Sequence, residues 1–268
     1  PANQAVTDVD DWAVQIYDRA GGAVTDLGTA RALNGVDATP RTRGETLPTC
    51  SATSVYFCSS VSVEGGSSWK TSILRFPLPG GASTAPTAPA SGGGGIAVAD
   101  GDFPAALNDG VLFATASAPG GALDTVSYLA EERSEPSALF SISSPGGTWV
   151  VSGLWAASDR RVVAVTSPSD GGAFLGIWKE PEQAPSLWLS TISPSIVASL
   201  NDPWLVWGSG SQGDGSEMYA MNWEEEDHRL LGVAPGYSRP VLAPSGSTVL
   251  IPGNDGTRPT SWTVGSLG

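Results

Sequence analysis

The stretch LNDGVLFATASAPGGALDTVSYL at residues 107–129 contains the pattern that decides the fold. An Asn-Asp-Gly turn is followed by a short apolar run, a Gly-Gly loop and a second apolar run. Val, Phe, Leu and Tyr suit a pleated, half-buried strand, and Gly and Asn supply the positive φ of tight turns. The stretch therefore predicts two β-strands joined by a glycine-rich loop.

The same pattern recurs along the whole chain. Its turn pairs lie near positions 10, 54, 108, 158, 201 and 245, so the spacings are about 44, 54, 50, 43 and 44 residues. An apolar run precedes each turn pair, and several units carry a further run, such as SALFSI at residues 137–142. Repeats of this length, with about four antiparallel strands each, are typical of a β-propeller.

We therefore predict an all-β fold, a six-bladed β-propeller of four-stranded antiparallel blades, in which the last blade ends after its third strand. Two segments of low complexity, at residues 37–45 and 80–95, interrupt the pattern. The repeat continues on both sides of each segment, so they are interpreted as long loops between blades. Residues 1–268 are accordingly predicted to form a single domain.

The chain is strongly acidic, with 27 Asp and Glu against 13 Lys and Arg and a net charge of −14. Binding to nucleic acid or to an anionic membrane surface usually needs a basic stripe, and none is visible, because Lys70 and Lys179 are the only lysines. No apolar run approaches the roughly 18 residues of a transmembrane segment. The acidity either serves solubility or fits a cationic partner, for which we expect a protein or peptide of basic character.

The two cysteines, Cys50 and Cys58, lie four residues on either side of Ser54. A hairpin that turns at Ser54 would place them opposite each other, at a separation that a disulfide can bridge. We therefore predict a disulfide between them; the alternative is a pair of buried thiols. A disulfide indicates an oxidising compartment, so the predicted location is secreted, periplasmic or at the exterior of the cell envelope.

A more specific pattern covers residues 196–252. An Asp-Gly loop is followed by EMYAMN at residues 217–222, and the next unit contains APSG at residues 243–246. This pattern resembles the TolB-type, WD40-like propeller repeat. The resemblance implies a secreted or periplasmic propeller that is used mainly as a binding scaffold.

Family architecture also implies where a ligand would bind, because the loops between second and third strands share one face with the loops between blades. Asp100, Asp102 and Glu217 lie in such loops. Ordinary turn chemistry is the alternative for each acidic residue, since Asp favours turns for its own hydrogen bonds. The candidate ligand-binding residues of this acidic loop face are Asp18, Glu64, Asp170, Asp214, Tyr237, Arg239, Asp255 and Arg258.

The sequence carries little that points to catalysis or to a cofactor. No serine lies in a G-x-S-x-G motif, and the single histidine, His228, lies in a charged EEEDHR turn. A glycosidase would need two carboxylates roughly 5–10 Å apart, and the sequence selects no pair. Neither GSQGDGSE nor GNDGTR, at residues 210–217 and 253–258, has the spacing of a calcium loop. No metal or cofactor is predicted, with calcium left open.

Exposed tryptophans would favour a sugar or a protein partner, and of the ten tryptophans we expect Trp188 and Trp223 to be exposed. The predicted function is a non-catalytic binding or scaffold domain, with a protein or peptide docking on the acidic loop face. A carbohydrate-binding module or a glycoside hydrolase-like propeller is the alternative. A purely structural propeller without a small ligand is the third reading.

Overall fold

The computed structural model describes residues 13–17, 21–29, 48–63, 68–78, 96–118, 121–142, 149–157, 161–167, 171–179, 184–191, 196–201, 203–211, 215–225, 227–234, 240–243, 248–254 and 259–267. All regular elements in these ranges are β-strands. They form four four-stranded sheets, one three-stranded sheet and one two-stranded sheet. The chain divides into two compact units, Pro1–Ala116 with Ser127–Ala138, and Ser117–Val126 with Leu139–Gly268.

The first unit contains strands β1 to β8. Strands β1 and β2 pair as a hairpin, and β3 to β6 form a sheet in chain order. Strands β7 and β8 belong to a sheet of order β10-β9-β8-β7, in which β9 and β10 have residues of both units. The bounds are β1 Ala13–Tyr17, β2 Val24–Thr29, β3 Thr49–Cys50, β4 Ser54–Val63, β5 Ser68–Pro77, β6 Ile96–Asp100, β7 Asp102–Leu107, β8 Gly110–Ala116, β9 Leu123–Ala130 and β10 Ser137–Ser141.

The second unit contains three sheets, each of which follows chain order: β11 to β14, β15 to β18 and β19 to β21. Neighbouring strands in them run antiparallel. The bounds are β11 Val150–Ala156, β12 Arg161–Thr166, β13 Ala173–Trp178, β14 Leu187–Thr191, β15 Ile196–Asn201, β16 Trp204–Ser211, β17 Gly215–Asn222, β18 Asp227–Ala234, β19 Val241–Leu242, β20 Thr248–Asn254 and β21 Pro259–Ser266.

The hydrophobic core lies between sheets, which explains why several strands are apolar at consecutive positions. In β12 the run VVAV at residues 162–165 is buried throughout. A strand covered on both faces reads as a continuous apolar run rather than as an alternating one. Val162 packs with Leu205 and Trp207 of the next sheet, so the β11–β14 and β15–β18 sheets share one apolar layer.

Hydroxyl groups fix the first strands of successive sheets against each other. The Thr49 Oγ1 on β3 accepts the Ala106 N–H of β7 at 3.1 Å. The Ser199 Oγ on β15 accepts the Leu242 N–H of β19 at 3.2 Å. The same kind of bond thus recurs between first strands, and it satisfies backbone donors that the sheets leave unpaired.

The predicted disulfide between Cys50 and Cys58 is wrong. Cys50 pairs with Val55 across the β3–β4 hairpin, and Cys58 lies three residues further along β4, opposite Ile73 of β5. Three residues correspond to about 10 Å along a strand and to the opposite face, whereas the Cα atoms of a disulfide lie within about 7 Å. Cys50 is accordingly exposed, and Cys58 is fully buried.

The error comes from the position of the turn. The Ser51 Oγ accepts the backbone N–H groups of Thr53 at 3.2 Å and of Ser54 at 3.0 Å. These side-chain hydrogen bonds close a turn before Ser54, whereas the turn predicted from the sequence is centred at Ser54. The hairpin therefore starts its second strand at Ser54, and the cysteines are out of register.

The prediction of an all-β fold of four-stranded antiparallel sheets is confirmed. The glycine-rich loop of the quoted stretch indeed joins two neighbouring strands, β8 and β9. The number of blades and the single domain stay predictions.

Candidate functional site

The candidate ligand-binding residues of the acidic loop face lie outside the described residues and stay predictions. They are Asp18, Glu64, Asp170, Asp214, Tyr237, Arg239, Asp255 and Arg258. Three other acidic residues that the sequence places in such loops are described. Asp100 is the last residue of β6, Asp102 is the first residue of β7, and Glu217 is the third residue of β17. Their surroundings show how this chain uses a carboxylate near a loop.

Asp102 forms a buried hydrogen-bonded turn at the connection from β6 to β7. Its Oδ1 accepts the Phe103 N–H at 2.8 Å and the Cys58 thiol at 3.1 Å, and the residue is 1% exposed. Phe103 has a φ of 54°, which non-glycine residues rarely adopt. A Cβ on Gly101 would lie 2.5 Å from the Ala114 carbonyl oxygen. Asp102 therefore holds a tight reversal and does not present its carboxylate to a ligand.

Other described carboxylates near such loops are also hydrogen bonded within the chain. Burial would raise the pKa of Asp124, but the Ser117 N–H at 2.8 Å and Oγ at 2.6 Å hold it below its usual value. Glu217 accepts the Tyr219 hydroxyl, and this bond, with burial, raises the pKa of Tyr219. Asp100 accepts a serine hydroxyl of β5 at 3.2 Å. Sequence reasoning missed Asp124, which directly follows the first residue of β9.

A denser polar cluster surrounds Glu131, at the turn after β9. Its Oε1 accepts the Ser51 hydroxyl at 2.6 Å and the Tyr56 hydroxyl at 3.4 Å, and its Oε2 accepts the Thr53 hydroxyl. The buried Arg75 donates from Nη1 to the Glu131 carbonyl oxygen at 3.1 Å. One glutamate thus holds together the β3–β4 turn, β4 and the end of β5.

Negative charge around this cluster affects two tyrosines. Burial and the charge of Glu131 raise the pKa of Tyr56 to about 12. The pKa of Tyr128 is raised as well, by burial, by its hydrogen bond with Asp109 and by the charges of Asp109 and Glu132. Asp109, Glu132 and Glu135 are exposed and outnumber the exposed Arg133, so the described residues carry net negative charge at this end of the sheet.

The chemistry of Glu131 is that of a structural acceptor. Three hydroxyls already bond to its two oxygens, so the carboxylate is engaged within the fold. No local sequence signal identifies it, because Ser51 and Thr53 are 80 and 78 residues away in the chain.

Among the described residues, no group of three or more His, Cys, Asp or Glu side chains could hold a metal ion.

The two tryptophans expected at the surface differ. Trp188, on β14, is 43% exposed, as predicted. Trp223 is 7% exposed, so the prediction for it is wrong. It directly follows β17, and its indole packs into the apolar layer with Trp207 and Met221.

In the described part of the chain, no helix is long and apolar enough to cross a membrane.

Comparison with known proteins gives the fold. No protein-family model matches the chain, and no curated protein matches it in sequence. Among solved structures, TolB from Acinetobacter baumannii is similar with a TM-score of 0.57 and 12% identity, over 97% of this chain and 58% of that one. An oligogalacturonate lyase from Vibrio parahaemolyticus is similar with a TM-score of 0.60 and 9% identity, over 98% and 73%.

The β-propeller domain of the Trilobed protease from Pyrococcus furiosus is similar with a TM-score of 0.53 and 8% identity, over 84% of this chain and 69% of that domain. These likenesses show a β-propeller fold and bear out the resemblance to TolB-type propellers. The chain spans 58% of the length of the TolB structure that it matches.

Proposed function

We propose that this chain is a non-catalytic propeller domain that binds a protein or peptide of basic character. The observation that carries the proposal is the charge, with 27 acidic against 13 basic residues. The described carboxylates Asp109, Glu132 and Glu135 are exposed, which supports a surface of negative potential. The loop candidates would add to it around the propeller channel.

The finer architecture belongs to the same proposal. It comprises six blades, the last without its fourth strand, in a single domain. The TolB-type repeat pattern supports a secreted, periplasmic or envelope location. The cysteines no longer support that location, because the disulfide that would have indicated it is absent between Cys50 and Cys58.

The proposal is tested by affinity capture from envelope and extracellular extract of the source organism. The immobilised chain is compared with a variant carrying Asp170→Asn, Asp214→Asn and Asp255→Asn, at low and at high salt. A partner that binds through charge complementarity is captured at low salt, is released by salt, and is lost with the variant.

The matched control removes three exposed carboxylates that are not among the loop candidates, through Glu132→Gln, Glu135→Gln and Glu225→Gln. It has the same net charge as the first variant. Retention by the control and loss by the first variant would assign the partner to the acidic loop face. If both variants capture the same proteins as the wild type, or the wild type captures none, the acidic loop face is not a docking site.

Carbohydrate binding is the second candidate, and Trp188 favours it. Its indole lies against Gly176, where a Cβ would be 2.8 Å from Trp188 Cζ3 and 2.9 Å from Pro185. The exposed Ser190 lies two residues further along the same face of β14. An exposed indole beside a hydroxyl can stack on a sugar ring, and one similar structure is an oligogalacturonate lyase.

A glycan array with the wild type and the Trp188→Ala variant tests this candidate, and a turnover assay on oligogalacturonate tests the related lyase activity. Binding that disappears with Trp188 would favour a lectin-like role. An array without signal and an assay without turnover would remove the carbohydrate candidate.

A further inference from the structure

The outermost strand of the β15–β18 sheet contains a β-bulge. Tyr219 of β17 pairs with Leu230, whereas the preceding Met218 pairs with Gly232, so Leu231 is an extra residue in β18. Gly232 has a φ of 143°, a conformation that side-chain-bearing residues rarely adopt. The glycine therefore makes the bulge possible at this place.

The bulge changes the face to which one side chain points. On a regular strand, residues three apart lie on opposite faces. Here Leu230 lies opposite Tyr219 and Val233 lies opposite Glu217, which are two residues apart on β17 and share a face. Leu230 and Val233 are therefore on one face, where they are 54% and 64% exposed. Bulges commonly re-aim side chains in this way.

The side chains of β17 that lie under the exposed pair, Tyr219 and Glu217, are held in place by contacts within the fold. Tyr219 stacks on Trp207 with ring centroids 5.4 Å apart and an interplanar angle of 16°. Trp207 is buried in the apolar layer between two sheets. The Tyr219 hydroxyl donates to Glu217, so the carboxylate is held beside Val233. A partner would meet side chains that are already ordered, which lowers the entropic cost of binding.

Acidic groups lie at both ends of the exposed pair. Glu217 is opposite Val233, and the exposed Glu224 and Glu225 lie in the turn that leads into β18. Arg229 does not offset them, because it lies on the other face, where it donates to the Leu267 carbonyl oxygen at 2.6 Å. The apolar pair is thus bracketed by carboxylates in a chain of net charge −14.

We propose that this surface, the β18 patch of Glu217, Tyr219, Leu230 and Val233, is a docking site for an extended segment of a partner protein. The segment carries two aliphatic side chains on one side, about 7 Å apart as in any β-strand, and Lys or Arg at both ends. Side chains give the recognition, because a bulged edge is a poor template for backbone pairing. The inference goes beyond the proposed function, since it uses none of the loop candidates.

The test measures binding of the fluorescein-labelled peptide Lys-Thr-Leu-Thr-Val-Thr-Lys to the full chain by fluorescence anisotropy at pH 8. The double variant Leu230→Ser with Val233→Ser should bind about tenfold more weakly, as expected for losing the exposed parts of two aliphatic side chains. The matched control is Val24→Ser with Val241→Ser, at two other exposed valines. It should bind like the wild type, and both variants should keep the wild-type melting temperature.

Two further comparisons address the charge. The same peptide with Glu in place of Lys should bind at least tenfold more weakly, and Glu217→Gln should weaken binding of the Lys peptide and its salt dependence. The proposal would be overturned by any of three results. These are equal affinity of the wild type for both peptides, equal affinity of the wild type and the double variant for the Lys peptide, or no binding at about 1 mM peptide. The triple Asn variant of the loop face should bind the Lys peptide normally, which separates failure here from failure of the proposed function.

Discussion

Replacing Glu131 with Gln tests whether one carboxylate holds the β3–β4 turn. The substitution keeps the shape of the side chain but removes its charge and replaces one acceptor oxygen by a donor. Ser51, at 2.6 Å, and Thr53 each donate a hydroxyl to a different oxygen of the wild-type carboxylate. The glutamine side chain of the variant can accept only one of these hydroxyls, so at least one charge-assisted bond is lost and the other becomes neutral.

The expected loss follows from these two bonds. A hydrogen bond to a charged group contributes about 1.5–3 kcal/mol and a neutral one about 1 kcal/mol. Some of the loss is recovered, because the cluster is only partly buried and water can reach the hydroxyls. We expect unfolding free energy to fall by about 2 kcal/mol, which lowers the melting temperature of a chain of this size by roughly 4–8 °C.

Urea unfolding and calorimetry measure the effect, with Glu132→Gln as the control. Glu132 is the next residue, carries the same charge and is exposed, so its loss should change stability by less than about 0.5 kcal/mol. Because Glu131 helps to raise the pKa of Tyr56, that pKa should also fall in Glu131→Gln. Equal stability of the two variants would refute the assignment of Glu131 as the group that holds the turn.

Three further predictions concern a carboxylate, a glycine and the thiols. The hydrogen bonds from Ser117 lower the folded-state pKa of Asp124 below the unfolded value of 3.8. The ionised carboxylate therefore stabilises the fold above that value, and this stabilisation is lost as the pH falls through the folded-state pKa. In urea unfolding, the difference in stability between the wild type and Asp124→Asn should shrink below that pH. Gly110→Ala should destabilise the fold by about 3 kcal/mol or more, measured by urea unfolding, because its Cβ would lie 2.3 Å from a backbone carbonyl oxygen. With a thiol reagent, Cys50 should react in the native state and Cys58 only after unfolding; two unreactive cysteines in denaturant would restore the disulfide.

The fold could be predicted because its signal is local. Apolar runs, turn pairs and glycine-rich loops repeat along the chain, and each unit determines its own antiparallel pairing. The burial of whole runs, as at residues 162–165, is equally visible, since a strand covered on both faces has no polar alternation. The propeller likeness of the solved structures agrees with this pattern.

Register and long-range contacts could not be predicted in the same way. A turn of the β3–β4 hairpin that lies before Ser54, and that the Ser51 hydroxyl closes, was enough to separate Cys50 from Cys58. Trp223 was expected to be exposed, yet its indole packs into the apolar layer that the β11–β14 and β15–β18 sheets share. Glu131 contacts residues about 80 positions away, and no spacing in the sequence encodes that contact.

The described carboxylates near the loops bear on how the loop candidates are to be tested. Asp102 and Asp124 each accept a backbone N–H from their own surroundings, which is the turn chemistry that competes with ligand binding as an explanation for acidic loops. The two roles have opposite signatures. If an Asp holds a turn, its change to Asn lowers the stability of the protein and leaves partner binding intact. If an Asp contacts a partner, the same change weakens binding and leaves the stability unchanged. Asp170, Asp214 and Asp255 should therefore be changed one at a time as well as together, with unfolding and capture measured on the same preparations, because only a loss of capture without a loss of stability assigns them to the docking face.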